Sequence, residues 1–154
     1  MKQETINNYR QLENWLSELK QIPEKEFYAP MEEGKWSLAA LVSHFKYWDD
    51  FVLQYRLKPI VENRPIEDVR VTEKEMNEKA EAHAHSGIDQ DALVDEVIAK
   101  RHEVVGLLEE ITEDKFGEPV SLGDRSITVK EYIDGLTEHD DHHRKQVESI
   151  TSVS

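Results

Sequence analysis

The residues of this chain best suited to chemistry are histidines, and two of them, His139 and His143, are four positions apart near the C-terminus. Side chains four apart on a helix lie one above the other, with about 5 to 6 Å between Cβ atoms, so both imidazoles can reach one ion. A helical period of about 100° per residue places His44 among the apolar positions of its own segment. Three imidazole nitrogens are the ligand set of a catalytic zinc site, which keeps a position for water or substrate.

The alternative for each histidine taken alone is a core imidazole whose nitrogens are satisfied by protein hydrogen bonds. Burying three such rings without a metal would need several polar partners in an apolar interior. We therefore favour a metal site on His44, His139 and His143. His142 lies roughly 100° away on a polar flank of the same helix. The other histidines are expected on solvated faces: His83, His85 and His102.

The absence of cysteine restricts the metal chemistry further. Disulfides, thiolate zinc sites and cysteine nucleophiles are excluded, so a metal must be bound through nitrogen and oxygen. Imidazole suits zinc, nickel, copper and iron, and we favour zinc or nickel. The N-terminus has no apolar segment typical of a signal peptide, and no stretch approaches eighteen apolar residues. The chain is therefore expected in the cytoplasm, without a membrane partner.

The charge of the chain narrows the choice of partner. Lysine and arginine total 19 against 33 aspartate and glutamate, which gives a formal net charge of -14. Such a chain repels phosphate backbones and anionic lipid surfaces, so nucleic acid is not expected as a partner. A small-molecule substrate is expected instead. A homodimer is compatible with the sequence, because helical bundles with spare apolar surface often dimerise.

The elements that must position these histidines are helices. Few glycines and many Glu, Lys, Leu and Ala residues favour helix, and Ser/Thr capping signals divide the chain. The clearest start is a capping box formed by Thr128 and Glu131; Thr72 and Glu75 form another. Ser37 and Asp89 precede two further helices, and Pro59 is expected to end the helix that carries His44. The predicted helices span residues 4–20, 37–57, 73–85, 90–112 and 128–150.

Four long helices and one short helix predict an all-α fold. The expected architecture is a four-helix bundle with a long crossover that carries the short extra helix, in one domain of residues 1–154. No strand pattern competes with the helical one. Residues 117–126 are expected to form a polar loop with a turn at Gly123 and Asp124.

Arg101 is the one charged residue within the apolar stripe of its helix, between Val97 and Val104. An inward guanidinium can bind a carboxylate or orient an anionic substrate, which makes Arg101 a candidate catalytic residue. A structurally paired or snorkelling arginine is the alternative. Acidic residues beside the last histidines are expected on the helix surface, with a hydrogen-bond acceptor for a metal ligand or a general base as the alternative: Glu138, Asp140 and Asp141. Three aromatic residues are expected in the core rather than along a pocket: Trp48, Phe51 and Tyr55.

Two segments resemble a known family. The segment GKWSLAALVSHF, residues 34–45, and the segment HDDHHRKQ, residues 139–146, look like the DinB/YfiT-like superfamily of metal-dependent enzymes. That family has a tryptophan-serine start to the second helix, a histidine seven or eight residues later, and an H-x-x-H-H-R-x-Q pattern on the last helix. The likeness covers nearly the whole chain. Carried over residue by residue, it implies His44, His139 and His143 as ligands.

The resemblance implies a metal-dependent enzyme but leaves the reaction open. Some members resemble S-transferases that use bacillithiol, mycothiol or glutathione, whereas many have no assigned reaction. The ion would activate either a small-molecule thiol, such as bacillithiol, or a water molecule, as in a hydrolase. We place the transferase slightly ahead on the resemblance alone. The alternative from another class is a non-catalytic bundle that binds metal for stability or sensing.

Overall fold

A computed structural model describes residues 2–150 of the chain. Helical segments account for most of them, and one small antiparallel hairpin is the exception. In chain order the elements are α1 (Lys2–Glu18), a 3-10 turn (Leu19–Gln21), α2 (Glu24–Tyr28), α3 (Leu38–Val52), a π-helical turn (Leu53–Leu57), α4 (Lys58–Val61), α5 (Glu73–Ala84), α6 (Gln90–Glu110), α7 (Glu113–Phe116), β1 (Val120–Leu122), β2 (Arg125–Ile127) and α8 (Val129–Glu148).

The four long helices α1, α3, α6 and α8 form the bundle, and α5 lies in the connection between α4 and α6. Helix α1 packs against α6 and α8, while α3 packs against α5 and α6. The expected all-α four-helix bundle with a helix-bearing crossover is therefore confirmed. Within residues 2–150, no helix has both the length and the apolar character that a membrane span requires.

Four of the predicted helix starts agree with the structure because each depends on a local hydrogen bond. The side chains of Ser37, Thr72 and Asp89 accept bonds from the backbone N–H three residues later. Thr128 and Glu131 form the complete reciprocal capping box at the start of α8. These caps fix where the histidine-bearing helices α3 and α8 begin.

The prediction that the second helix ends before Pro59 is wrong. Proline lacks an N–H, so the carbonyl of Tyr55 loses its α-helical donor. The chain passes this point through the π-helical turn, and Arg56 Nη1 donates to the Tyr55 carbonyl at 3.3 Å. The wider turn also shifts the helical phase. Tyr55, expected on the apolar stripe, is 43% exposed as a result.

The expectation of no strands is also wrong. Residues 120–127 form the β1–β2 hairpin, with Leu122 opposite Arg125. The turn at Gly123 and Asp124 was predicted, and Gly123 has the positive φ of 65° that such a turn needs. Two short helices, α2 and α7, were not predicted because four or five residues are too few to show a helical period.

The apolar core consists of two clusters stacked along the bundle. Residues such as Leu16, Phe45 and Val97 belong to one cluster. The other cluster contains residues such as Ile6, Val52 and Val104. Each long helix also contributes one buried side chain to a connected set of hydrogen bonds. These four residues form the ion network: Tyr9, Asp49, Arg101 and Asp140.

Candidate metal centre

Three histidines converge where α3 meets α8. One ring nitrogen from each of His44, His139 and His143 lies within 4.8 Å of the others. The ring centroids of His139 and His143 are 4.5 Å apart, as their four-residue spacing on α8 predicts. His44 approaches them from α3, with its centroid 5.2 Å from that of His143 and 6.1 Å from that of His139. The three residues selected from the sequence therefore come together.

His44 is the buried member of the cluster. Its side chain is enclosed by aromatic rings, including Trp36 and Trp48 at centroid distances of 5.3 and 6.2 Å. The pKa of His44 is lowered to about 4, chiefly by burial and with a contribution from the other two histidines, whereas a hydrogen bond to Asn77 opposes the shift. The ring is therefore neutral at pH 7, the state in which imidazole binds a metal.

Asn77, on α5, determines which nitrogen of His44 is available. The Nδ1 atom of His44 lies 2.9 Å from Asn77 Oδ1, which can only accept, so Nδ1 carries the proton and donates. The lone pair of the neutral ring is then on Nε2. Outer hydrogen bonds of this kind orient metal-binding histidines and fix their tautomer. Nothing in the sequence indicates this partner, since Asn77 is a half-buried polar residue beside the apolar face of α5.

His143 has a buried nitrogen without a partner in the part of the chain that the structure describes. Its Nδ1 donates to Gln146 Oε1 at 3.0 Å, which leaves the lone pair on Nε2. Nε2 is inaccessible to solvent and makes no hydrogen bond within residues 2–150. Burial also lowers the pKa of His143. An unpaired acceptor of this kind is costly in a protein interior, and a metal ion would satisfy it.

His139 completes the cluster at its solvent side. The sequence placed its side chain within or beside the apolar stripe, whereas the structure exposes it. The three rings therefore run from the buried His44 through the half-buried His143 to the exposed His139. An ion held here would be reachable from solvent.

A cavity of about 220 Å³ adjoins the cluster, and we call it the histidine cavity. His44 and His139 line one part of it. Apolar side chains, among them Trp48, Val52 and Leu136, line another part. The ion network also contributes to the wall. A small molecule bound there would contact both the histidines and apolar side chains.

Arg101 lies at the centre of the ion network and is only 1% exposed. Its Nε and Nη2 atoms donate to the two carboxylate oxygens of Asp49 at 2.7 and 3.0 Å. Its Nη1 atom donates to Asp140 Oδ2 at 2.8 Å and to the Tyr9 carbonyl at 3.0 Å. The Tyr9 hydroxyl also donates to Asp49, and the guanidinium lies 3.7 Å from the centre of the Tyr9 ring. The network therefore connects all four long helices.

These contacts bear on the two roles that the sequence allowed for Arg101. Four hydrogen bonds to protein acceptors engage all three guanidinium nitrogens, which favours the structurally paired arginine over one that binds substrate. A catalytic role for Arg101 stays a prediction.

The expectation that Asp140 lies on the helix surface is wrong. Asp140 is 8% exposed, and burial raises its pKa to about 6 although Arg101 pulls in the opposite direction. The sequence contained a signal for this position. Asp140 lies seven residues from both Ile133 and Val147, so all three share one helical face. Asp49 was missed in the same way, seven residues after the buried Val42.

The remaining histidines are not simply solvated. His83 is half-buried, and its Nε2 lies 2.7 Å from Glu96 Oε1. His85 is exposed, but its Nε2 lies 2.8 Å from the hydroxyl of Ser37, the residue that caps α3. His102 is exposed, as expected. None of the three belongs to the metal-ligand cluster found within residues 2–150.

Comparison with known proteins agrees with this fold. A solved structure, that of YfiT from Bacillus subtilis, superimposes with a TM-score of 0.71 over 97% of this chain and 85% of that chain, at 16% identity. It is described as a probable metal-dependent hydrolase with an unusual four-helix bundle topology. The uncharacterized protein YuaE from Bacillus subtilis is 24% identical over 159 residues, which cover 95% of each chain. The family model of the DinB superfamily matches residues 8–147, and the chain therefore belongs to the DinB superfamily.

Proposed function

We propose that this protein is a metal-dependent enzyme that holds one divalent ion on His44, His139 and His143. The observation that carries the proposal is the buried Nε2 of His143, which has no hydrogen-bond partner in the described range 2–150 and belongs to a cluster of three ligand nitrogens within 4.8 Å. Two of the rings have lowered pKa values and are neutral at pH 7. Three imidazoles suit zinc or nickel.

The number of ligands favours a catalytic ion over a structural one. Within residues 2–150, no aspartate or glutamate joins the three histidines. Structural zinc sites are closed by four protein ligands, whereas catalytic sites use three and keep one position for water or substrate. An ion bound in this way acts as a Lewis acid and lowers the pKa of a bound water or thiol.

The chain itself contributes positioning and exclusion of water. Asn77 holds the His44 ring in one tautomer and orientation. Trp48, Val52 and Leu136 give the histidine cavity an apolar wall, which strengthens electrostatic interactions inside it. His139 lies on the exposed side, where a substrate can enter.

Two reactions are compatible with this arrangement. Similarity to YfiT, described as a probable metal-dependent hydrolase, supports attack by water. The thiol S-transferases of the superfamily support attack by a small-molecule thiol such as bacillithiol. This chain has no cysteine, so the thiol would have to come from solution. We propose that the two reactions share an activated small nucleophile. Experiment must decide whether that nucleophile is water or a thiol.

The reaction can be tested with metal-free and metal-loaded protein. We expect the loaded protein to catalyse either hydrolysis of an ester or amide, or attack of a thiol on an electrophile such as 1-chloro-2,4-dinitrobenzene, in which a C–S bond forms, chloride leaves and the thiol proton is released to solvent. The rate should fall to background after chelation, return when zinc or nickel is restored, and be absent in His44→Ala. His142→Ala is the matched control and should remain active. Loaded protein that is inactive across both panels would favour the non-catalytic metal-binding alternative.

The role of Asn77 gives a sharper test of the site. We expect Asn77→Leu to weaken metal affinity by roughly 10- to 100-fold, because the acceptor that fixes the His44 ring is lost. Asn77→Asp keeps an oxygen acceptor of the same size and should retain most of the affinity. Competition with a chromogenic chelator measures both variants. Equal affinity in Asn77→Leu and the wild type would show that Asn77 does not support the ligand.

A further inference from the structure

A second cavity lies next to the histidine cavity, and Trp48 lines both. Its volume is about 450 Å³. It is formed between the end of α3, the segment before α5, and the β1–β2 hairpin. Three arginines, Arg56, Arg70 and Arg125, line it, and we call it the arginine cavity.

The charge of the arginine cavity is unlike that of the whole chain. The protein has a formal net charge of -14 and seven arginines, three of which line this one cavity. Two carboxylates, Asp68 and Asp124, also line it, so the three guanidinium groups leave an excess of one positive charge. An anionic small molecule would be repelled by most of this surface but attracted here.

Two of the three arginines have no carboxylate partner among the residues that the structure describes. Arg56 donates to the backbone carbonyls of Glu67 and Val69, at 3.5 and 3.1 Å, which fixes the guanidinium without neutralising it. Its guanidinium also lies 4.7 Å from the centre of the Phe51 ring. Arg125 makes no ion pair with any residue in the range 2–150. Arg70 is paired with Asp68, so the available charge belongs mainly to Arg56 and Arg125.

Trp48 supplies a further donor at the boundary between the two cavities. Its indole Nε1 is buried and has no hydrogen-bond acceptor within the described part of the chain. Its ring lies 6.2 Å from that of His44 on one side and 5.8 Å from that of Phe51 on the other, measured between centroids. A molecule that extends past Trp48 would therefore reach from the arginines to the histidines.

We propose that the arginine cavity binds the carboxylate or phosphate group of a small-molecule substrate whose reactive part enters the histidine cavity past Trp48. Entry of the reactive part into the histidine cavity rests on the proposed function, whereas anion binding in the arginine cavity does not. Guanidinium groups bind both kinds of anion through charge-assisted hydrogen bonds. The substrate class is thus an anionic small molecule in which the reacting group is separated from the carboxylate or phosphate group.

The test is a titration of ¹⁵N-labelled protein with succinate, inorganic phosphate and neutral succinamide at constant ionic strength. We expect a saturable shift of the Trp48 indole N–H signal, identified by its absence in Trp48→Phe, with one or both anions but not with succinamide. Arg125→Gln should weaken binding at least ten-fold. Arg64→Gln, which removes an arginine outside this cavity, should leave binding unchanged.

The same titration of His143→Ala separates this inference from the proposed function. Anion binding should persist in that variant, because the arginine cavity contains none of the three histidines. If wild-type protein binds no metal but still binds succinate or phosphate, the metal proposal fails and the anion site stands. The inference is overturned if neither anion shifts the Trp48 signal, if succinamide shifts it equally, or if Arg125→Gln binds as tightly as the wild type.

Discussion

Replacing His143 with alanine is expected to remove the metal ion, from about one per chain to near zero, whereas His142→Ala should keep it. The Nε2 atom of His143 is buried and has no hydrogen-bond partner among residues 2–150, and its ring centroid lies 4.5 and 5.2 Å from those of His139 and His44. His142 is exposed and lies roughly 100° further round α8. Elemental analysis of protein purified identically measures the difference.

The comparison of His143 with His142 is informative because the two residues are neighbours of the same type. Both changes remove one imidazole from the same turn of α8, so their effects on helix propensity are alike. Circular dichroism should show a folded bundle in each variant. Equal metal loss in both would mean that the helical phase of α8 differs from the one described, and metal retained by His143→Ala would contradict the three-histidine site.

The histidine positions could be predicted because they depend on local rules. Residues four apart on one helix must lie on the same side, and the Thr128–Glu131 capping box fixes where α8 begins. His44 could be placed inward because its neighbours Leu41 and Phe45 define an apolar face. Composition excluded thiolate ligands outright, since the chain has no cysteine.

The residues that support the site could not be predicted so directly. Asn77 reaches His44 across 33 positions of sequence, and its contact depends on how α5 packs against α3. Asp49 and Asp140 lie at apolar spacing, but an acidic residue on a helix usually faces solvent. Their burial makes sense only with Arg101, which is 52 positions from Asp49 and 39 from Asp140. Periodicity identifies which face of a helix is buried. Contacts between residues on different helices can be known only from the three-dimensional fold.

The π-helical turn shows that prediction from helical periodicity can also fail within a single helical segment. Counting at 100° per residue assumes an unbroken α-helix, and it places Tyr55 inward. The turn at Leu53–Leu57 changes that phase. The inward orientation predicted from periodicity is therefore correct for His44 but wrong beyond Leu53, at Tyr55. Proline at position 59 predicts the end of the helix, whereas the structure accommodates it through the altered turn.

The ion network connects the stability of the bundle to the position of the histidines. Asp140 follows His139 directly in α8, and Asp49 lies on the same helix as His44. Arg101 holds both carboxylates, so it fixes α3 and α8 relative to each other in the layer next to the cluster. We infer that the Arg101 guanidinium fixes the separation between α3 and α8. That separation determines how closely His44 on α3 approaches the two histidines of α8.

Removing this cation should therefore have a large effect on folding. We expect Arg101→Met to destabilise the protein by about 3 to 5 kcal/mol, because it leaves Asp49 and Asp140 buried without their partner. For a domain of this size, that loss corresponds to a fall in melting temperature of roughly 10 °C. Urea unfolding of metal-free protein measures the change without a contribution from bound ion.

Lys100→Met is the matched control for Arg101→Met. Lys100 is the preceding residue of α6 and pairs with Asp50 and Glu103, whose side chains are 49% and 56% exposed. Pairs of this kind contribute about 0 to 1 kcal/mol, so this variant should unfold close to the wild type. Similar destabilisation by both substitutions would mean that charge on α6, rather than the buried pairing, is responsible. If Arg101→Met were as stable as the wild type, the network would not hold the helices together. The position of the histidines would then depend on apolar packing alone.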